Sequence, residues 1–264
     1  KLGSYISRLS PIIFGSLILY SFINQNNNSK LQHILLIFTI ISSNILVILS
    51  GERAAILYIV FFNLCILIFI KTYRKSILSC FLFLILLLFS TGLDKRIATR
   101  ISITLDEIKG SSHPLLFATA HNKIYLSSIE MFLDNKYFGI GPKNFREFCK
   151  KSDYNSHFAN YGGTCFNHPH NTYIQLFTET GIIGSIPILI FLIFLIFYFL
   201  SRLKNYAFNN KIISLKIEAE IMFYLAVFIT LFPYVPTGNF FNNWLSAIYF
   251  LPIGFIFYTK NLKD

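Results

Sequence analysis

Residues 182–200 read Ile-Ile-Gly-Ser-Ile-Pro-Ile-Leu-Ile-Phe-Leu-Ile-Phe-Leu-Ile-Phe-Tyr-Phe-Leu, without one charged side chain. A helix needs about 20 apolar residues to cross a bilayer, so this stretch predicts a transmembrane span. The whole chain agrees. Of its 264 residues 54% are hydrophobic and only 13% are charged, where a soluble domain carries about 25% charged residues. Such a composition excludes a soluble globular domain, a disordered chain and a fibrous protein. The fold class predicted is all-α: a polytopic integral membrane protein.

Further apolar runs fall at 9–24, 31–50, 54–70, 76–91, 217–236 and 240–259, which makes seven spans in all. The first is the weakest, because Arg8 and Pro11 stand at its mouth. Basic residues in short loops set the orientation. Lys30, Lys71, Arg74, Lys75, Arg202, Lys204, Lys211, Lys216, Lys260 and Lys263 all fall on one side of an alternating threading. The other side's short segments hold only Lys1, Arg8 and Arg53. The first side is therefore read as cytoplasmic, with the C-terminus inside. The net charge of +11 becomes a topology signal, and nucleic acid is not an expected partner. The division expected is spans one to four over 1–91, a large and partly helical outer segment over 92–180, and spans five to seven over 181–264. Lys1 in place of a Met suggests that further chain lies upstream.

The outer segment is nearly charge-balanced, with ten Lys or Arg and eight Asp or Glu, and holds five of the six His. The apolar runs are read as free of internal acidic residues, which leaves an ion-coupled transporter little support. The segment ends in Asn-His-Pro-His-Asn-Thr-Tyr-Ile-Gln, residues 167–175. Pro169 favours an extended backbone before a helix, and Asn171 or Thr172 is placed to cap that helix. His168 and His170 are then either interfacial loop residues or the seat of a general base working near neutral pH. Their spacing suits a metal, but no Cys or carboxylate cluster completes a set of four ligands. Neither metal nor cofactor is expected.

Cys65 and Cys80 fall inside spans, as buried thiols. Cys149 and Cys165 lie in the outer segment, on the oxidising side, and are expected to pair. Their loop would gain about 3 kcal/mol from constraint of the unfolded chain and would position His168 and His170. Two free thiols are the alternative.

His170-Asn171, followed by Gly181-x-x-Gly184, resembles the signature of the O-antigen ligase and polymerase superfamily of bacterial membrane glycosyltransferases. Gly51-Glu52-Arg53-Ala54 resembles its Ser/Gly-x-Arg-Gly/Ala element, and Gly139-Ile140-Gly141-Pro142-Lys143-Asn144-Phe145 its Gly-x-Gly-x-x-x-Phe element. His121, with the amphipathic stretch to Phe132, is similar to the segment before that element, and Gly3-Ser4-Tyr5-Ile6-Ser7-Arg8 to an upstream stretch of polymerase-like members. The similarity runs along essentially the whole chain. Family members usually have more spans, which would precede Lys1.

The resemblance implies transfer of a glycan from undecaprenyl pyrophosphate to a sugar hydroxyl at the periplasmic face of the bacterial inner membrane. Arg53 would bind the pyrophosphate, since guanidinium keeps its charge and engages phosphate oxygens bidentately; the bland alternative is an interfacial Arg paired with Glu52. A second Arg is expected at the start of the outer segment, either Arg100 or Arg96. His170 would be the general base of a metal-independent, inverting displacement, with His168, His121 and Asn171 contacting or orienting the acceptor. Lys143 is an ordinary solvated Lys or a phosphate or sugar contact, and Glu179 a structural partner or a second base. The partners implied are the lipid-linked glycan, a glycan acceptor, membrane lipids and a polysaccharide chain-length regulator. The His-Pro-His-Asn sequence, the Cys pair and the His121 segment are closer to repeat-unit polymerases. A ligase to lipid A-core, a protein O-oligosaccharyltransferase and, from another class, a lipid-linked glycan transporter remain alternatives.

Overall fold

The computed structural model describes residues 2–24, 29–70, 74–75, 77–79, 81–82, 99, 102, 119–151, 154, 166–208, 214–232 and 235–262. Of the predicted span 76–91 only 77–79 and 81–82 are described, and Cys80, Arg96, Arg100, the side chain of His121, and Cys165 lie outside the described residues. The helices are α1 (Leu2–Ile23), α2 (Ser29–Ser50), α3 (Arg53–Phe69), α4 (Thr119–Asp134), α5 (Phe145–Cys149), α6 (Thr172–Phe208), α7 (Leu215–Thr230) and α8 (Asn243–Asn261). No strand occurs among the described residues. The described residues form helices and connecting loops, as the apolar runs predict.

Among the described residues, Leu2–Ile23, Lys30–Ser50 and Thr172–Ser201 are long and apolar enough to cross a membrane, and Arg53–Phe69 is apolar but shorter. Two expectations need correction. Arg8 and Pro11 do not stand at the mouth of the first run; both lie inside α1, and both are buried. Glu218 and Glu220 lie within α7 and are buried, at 0% and 3% exposure, so the apolar runs are not free of acidic residues. Tyr198 contributes a hydroxyl to Glu220 Oε1 at 3.4 Å, the kind of partner a buried carboxylate requires. The run read as 217–236 is helical only to Thr230, and the next helix begins at Asn243.

The chain forms two compact units. In the first, α1 packs on α2, α3 and α7, and α3 also packs on α2 and α7. Gly51 adopts φ 60° and donates its N–H to Ile48 O at 3.1 Å. A left-handed residue just past a helix end satisfies the last carbonyls, and Gly does so without a Cβ penalty. That reversal makes Arg53 the first residue of α3. Across the hairpin Asn44 and Asn63 exchange amide hydrogen bonds of 3.2 and 2.6 Å, which satisfies polar groups that lipid cannot. Phe14 meets Phe62 edge-on at 5.9 Å, and Phe223 stacks on Phe255 at 4.7 Å.

The second unit contains α4, α5, the first part of α6 and residues 231–247. Ile124, Met131, Ile140, Phe145, Cys149 and Tyr154 form its buried cluster. Tyr154 closes it by donating its hydroxyl to Asp134 Oδ2 at 2.8 Å. Cys149 is buried and disulfide-bonded.

Candidate active site

Pro169 cannot continue a helix backwards and α6 begins at Thr172. The cap is Asn171, whose Oδ1 accepts the backbone N–H groups of Tyr173 at 3.0 Å and Ile174 at 3.1 Å. This satisfies two of the four orphan donors of a helix N-terminus. Immediately before the cap, His170 has φ 58°. A positive φ is uncommon outside glycine, and His is among the residues that tolerate it. The strained turn is held from outside the helix. Thr237 donates its N–H to His170 O at 2.8 Å.

The same residue fixes the neighbouring ring. His168 Nε2 lies 3.3 Å from Thr237 O. A carbonyl only accepts, so Nε2 carries the proton and the tautomer follows from the partner. The His168 and His170 ring centroids are 4.1 Å apart, and Phe166 meets the His170 ring edge-on at 5.9 Å. Both His side chains are half-buried. A His170 ring placed thus is reachable from solvent, while its backbone and one ring neighbour are pinned.

Leu231, Thr237, Asn239 and Phe240 clamp the start of α6. Thr172 and Thr237 share a hydroxyl bond of 3.0 Å. Gln175, fully buried, donates to Asn239 Oδ1 at 2.9 Å and accepts from Phe240 N at 2.9 Å. Tyr173 donates its hydroxyl to Leu231 O at 2.8 Å. Gln175, Thr237 and Asn239 were missed by sequence reasoning. The signal was available as Pro233, Pro236, Gly238 and Asn239, a turn-forming cluster at the junction of the runs 217–236 and 240–259.

Below the clamp, α6 breaks at Gly181, which has φ 64° and ψ −169°. The break frees the carbonyls of Thr178 and Glu179 and the amides of Ile182 and Ile183, which an unbroken helix would pair with each other. The loop after α4 takes all four. Ile140 N donates to Thr178 O at 3.0 Å and Gly141 N to Glu179 O at 2.9 Å. In return Ile182 N donates to Lys136 O at 2.8 Å and Ile183 N to Tyr137 O at 3.1 Å. Two helix bonds are exchanged for four. The approach requires two glycines: a Cβ at Gly139 would lie 2.6 Å from Gly181 N, and one at Gly181 would overlap Tyr137 O. Glu179 Oε2 also accepts Lys143 N at 2.7 Å, where Lys143 has φ 65°.

Arg53, in the other unit, is exposed at the first position of α3. The Glu52 side chain makes no capping bond to that helix. Its carboxylate instead accepts the backbone N–H groups of Gly3 at 3.1 Å and Ser4 at 3.2 Å, at the start of α1. A cation at a helix N-terminus opposes the helix dipole, and a bound anion would reverse that cost. Among the described residues no cluster of three His, Cys, Asp or Glu is placed to hold a metal ion.

A family model described as O-antigen ligase matches residues 35–189. The chain belongs to the O-antigen ligase family. Its members are membrane glycosyltransferase-like enzymes acting on lipid-linked glycans. The matched span includes Arg53, the loop that fills the helix break, the His pair and its cap. None of the curated proteins matches the chain. For an O-antigen ligase family member the glycines at 139 and 181 acquire a physical meaning: they let a loop replace broken helix bonds beneath the His pair.

Proposed function

We propose that the protein is an O-antigen repeat-unit polymerase of this family, transferring a growing glycan from undecaprenyl pyrophosphate to a sugar hydroxyl of a second lipid-linked unit. The observation that carries this reading is the His170 turn. A His ring beside a helix start, held by Asn171, Thr237 and the His168 ring, is a pre-positioned general base. His170 takes the proton of the acceptor hydroxyl as that oxygen attacks the anomeric carbon. The new carbon–oxygen bond forms as the bond to the pyrophosphate oxygen breaks, on the opposite face, so the anomeric centre inverts. Lipid pyrophosphate leaves with the electron pair. Arg53, with Arg100 or Arg96, balances the charge that develops on it. His168, His121 and Asn171 orient the acceptor. No metal takes part in this scheme.

The reading carries a topology with it: seven spans, residues 92–180 in the periplasm, and the C-terminus in the cytoplasm of a bacterial inner membrane. A chain-length regulator is the protein partner that fits a polymerase. Ligation to lipid A-core or to protein would use the same donor and base. The polymerase is preferred on the His-Pro-His-Asn sequence, the outer Cys pair and the His121 segment.

Reconstitution with a lipid-pyrophosphate glycan, with and without lipid A-core and with EDTA present, tests it. A ladder of longer lipid-linked products without lipid A-core, insensitive to EDTA, is the expected result. Product only when lipid A-core is added would make the protein a ligase. Glycan crossing the vesicle membrane without any new glycosidic bond would make it a transporter.

A further inference from the structure

Arg8 is the most unusual buried residue of the first unit. It lies two turns into α1, an apolar helix long enough to cross a membrane, and is 2% exposed. Its Nη1 donates to Ser4 O at 3.0 Å and also meets Ser4 Oγ. Its Nη2 reaches the Tyr58 hydroxyl at 3.4 Å, and its guanidinium sits 4.8 Å from the centre of the Tyr58 ring. Its Nε, fully buried, has no hydrogen-bond partner. Among the described residues no carboxylate pairs with it. Neutral hydroxyls, a carbonyl and a ring face are the direct partners of a full positive charge in an apolar bundle, and the Glu52 carboxylate is linked to it only through Ser4. That arrangement is expensive and is retained in membrane helices chiefly for function.

Its position relates it to the donor end of the same unit. Ser4, which holds Arg8, gives its own N–H to Glu52, the residue before Arg53. The starts of α1 and α3 are thus bound together. Tyr58, on which Arg8 stacks, is about 7.5 Å along α3 from Arg53 by helix rise. Glu52 could have supplied the missing counter-charge, but its carboxylate is turned to the amides of Gly3 and Ser4. The bundle therefore presents Arg53 at its exposed end and, less than two turns deeper, a buried guanidinium whose Nε has no hydrogen-bond partner.

We infer that Arg8 is a further cation of the donor site, beside Arg53 and the Arg100 or Arg96 proposed above, acting on the diphosphate of the lipid-linked glycan from below Arg53. The inference rests on the donor chemistry proposed above. A diphosphate held at the start of α3 would bring an anion toward Arg8, which has no direct carboxylate partner among the described residues, and low polarity around Arg8 lets its charge act over that distance. Tyr58 and Ser4 are positioning residues, fixing the guanidinium by stacking and hydrogen bonds.

The signature is a trade between stability and binding. A buried charge without a direct carboxylate partner destabilises the empty protein, so an apolar side chain of similar length should stabilise it while weakening donor binding. The test compares wild type, Arg8→Met and Arg8→Lys in nanodiscs by thermal unfolding, with and without added undecaprenyl pyrophosphate. Wild type should gain stability with the lipid. Arg8→Met should melt higher than wild type without lipid and need about tenfold more lipid, or beyond, for the same gain. Arg8→Lys should melt near wild type yet bind more weakly, because it loses the planar fork. An unchanged lipid-dependent gain in Arg8→Met would overturn the inference, as would an Arg8→Met protein that melts lower or fails to fold. Absence of any gain in wild type would overturn the donor reading itself, and Arg8's role with it.

Discussion

Thr237 holds two histidines at once: its backbone N–H donates to His170 O at 2.8 Å, and its carbonyl oxygen lies 3.3 Å from His168 Nε2. One residue from the segment between α7 and α8 thereby sets both the left-handed turn of His170 and the tautomer of its neighbour. Gln175 is the buried rivet of that segment, bonded to Asn239 and to the Phe240 amide. Gln175→Leu should leave both groups without a partner and cost about 2 kcal/mol or more. Thermal unfolding in detergent should show the loss. Transferase activity should fall further than stability explains, through kcat rather than donor KM.

Gly139 and Gly181 each need positive φ and mutual contact at backbone distance. Gly181→Ala should therefore cost about 3 kcal/mol or more, from strain together with displacement of the loop at 136–141. The loop should become a protease-sensitive site in the variant. Gly184→Ala would meet only the Thr180 side chain of its own helix, and should be milder. Equal effects at the two positions would contradict the loop-for-helix exchange.

Asn171 caps α6 through two amides. Asn171→Ala should lower stability by about 1 kcal/mol, and Asn171→Asp should restore it, because a carboxylate caps equally well and suits the helix dipole. If capping is its whole role, Asn171→Asp also restores activity. If its amide contacts the acceptor as well, the variant recovers stability while activity stays low. Unfolding and turnover measured on the same preparations separate the two.

Cys149 is disulfide-bonded, and the partner expected is Cys165. Proteolysis under non-reducing conditions should yield a peptide linking 149 to 165. Cys149→Ser and reduced wild type should lose about 3 kcal/mol, with turnover falling because the His pair follows directly on Cys165. A peptide joining Cys149 to any other cysteine would refute the pairing.

Much of the site could be read from the sequence because its grammar is local. Pro169 and Asn171 announce a helix start, and of the two expected caps, Asn171 and Thr172, Asn171 makes the capping bonds. The apolar runs announce helices. Other features depend on residues far apart in the chain. Gln175 reads as an ordinary helix residue until Asn239 and Phe240 are brought to it. Gly139 and Gly181 mark motifs, yet the four bonds that explain them join segments about 40 residues apart. Arg8 and Pro11 read as the edge of a span because each disfavours a membrane helix locally. Packing against α2, α3 and α7 overrides that preference. Glu218 and Glu220 escaped notice in the same way, sitting near the start of an apolar run that buries them.

The account stands on His170 as the base. The most direct measurement is single-turnover glycan transfer by wild type and His170→Ala, with donor binding measured in parallel on the same folded preparations. The account predicts that His170→Ala binds lipid-pyrophosphate donor as wild type does, while the transfer rate falls by about 10²–10⁴-fold. A His170→Ala protein that transfers glycan at the wild-type rate would contradict it.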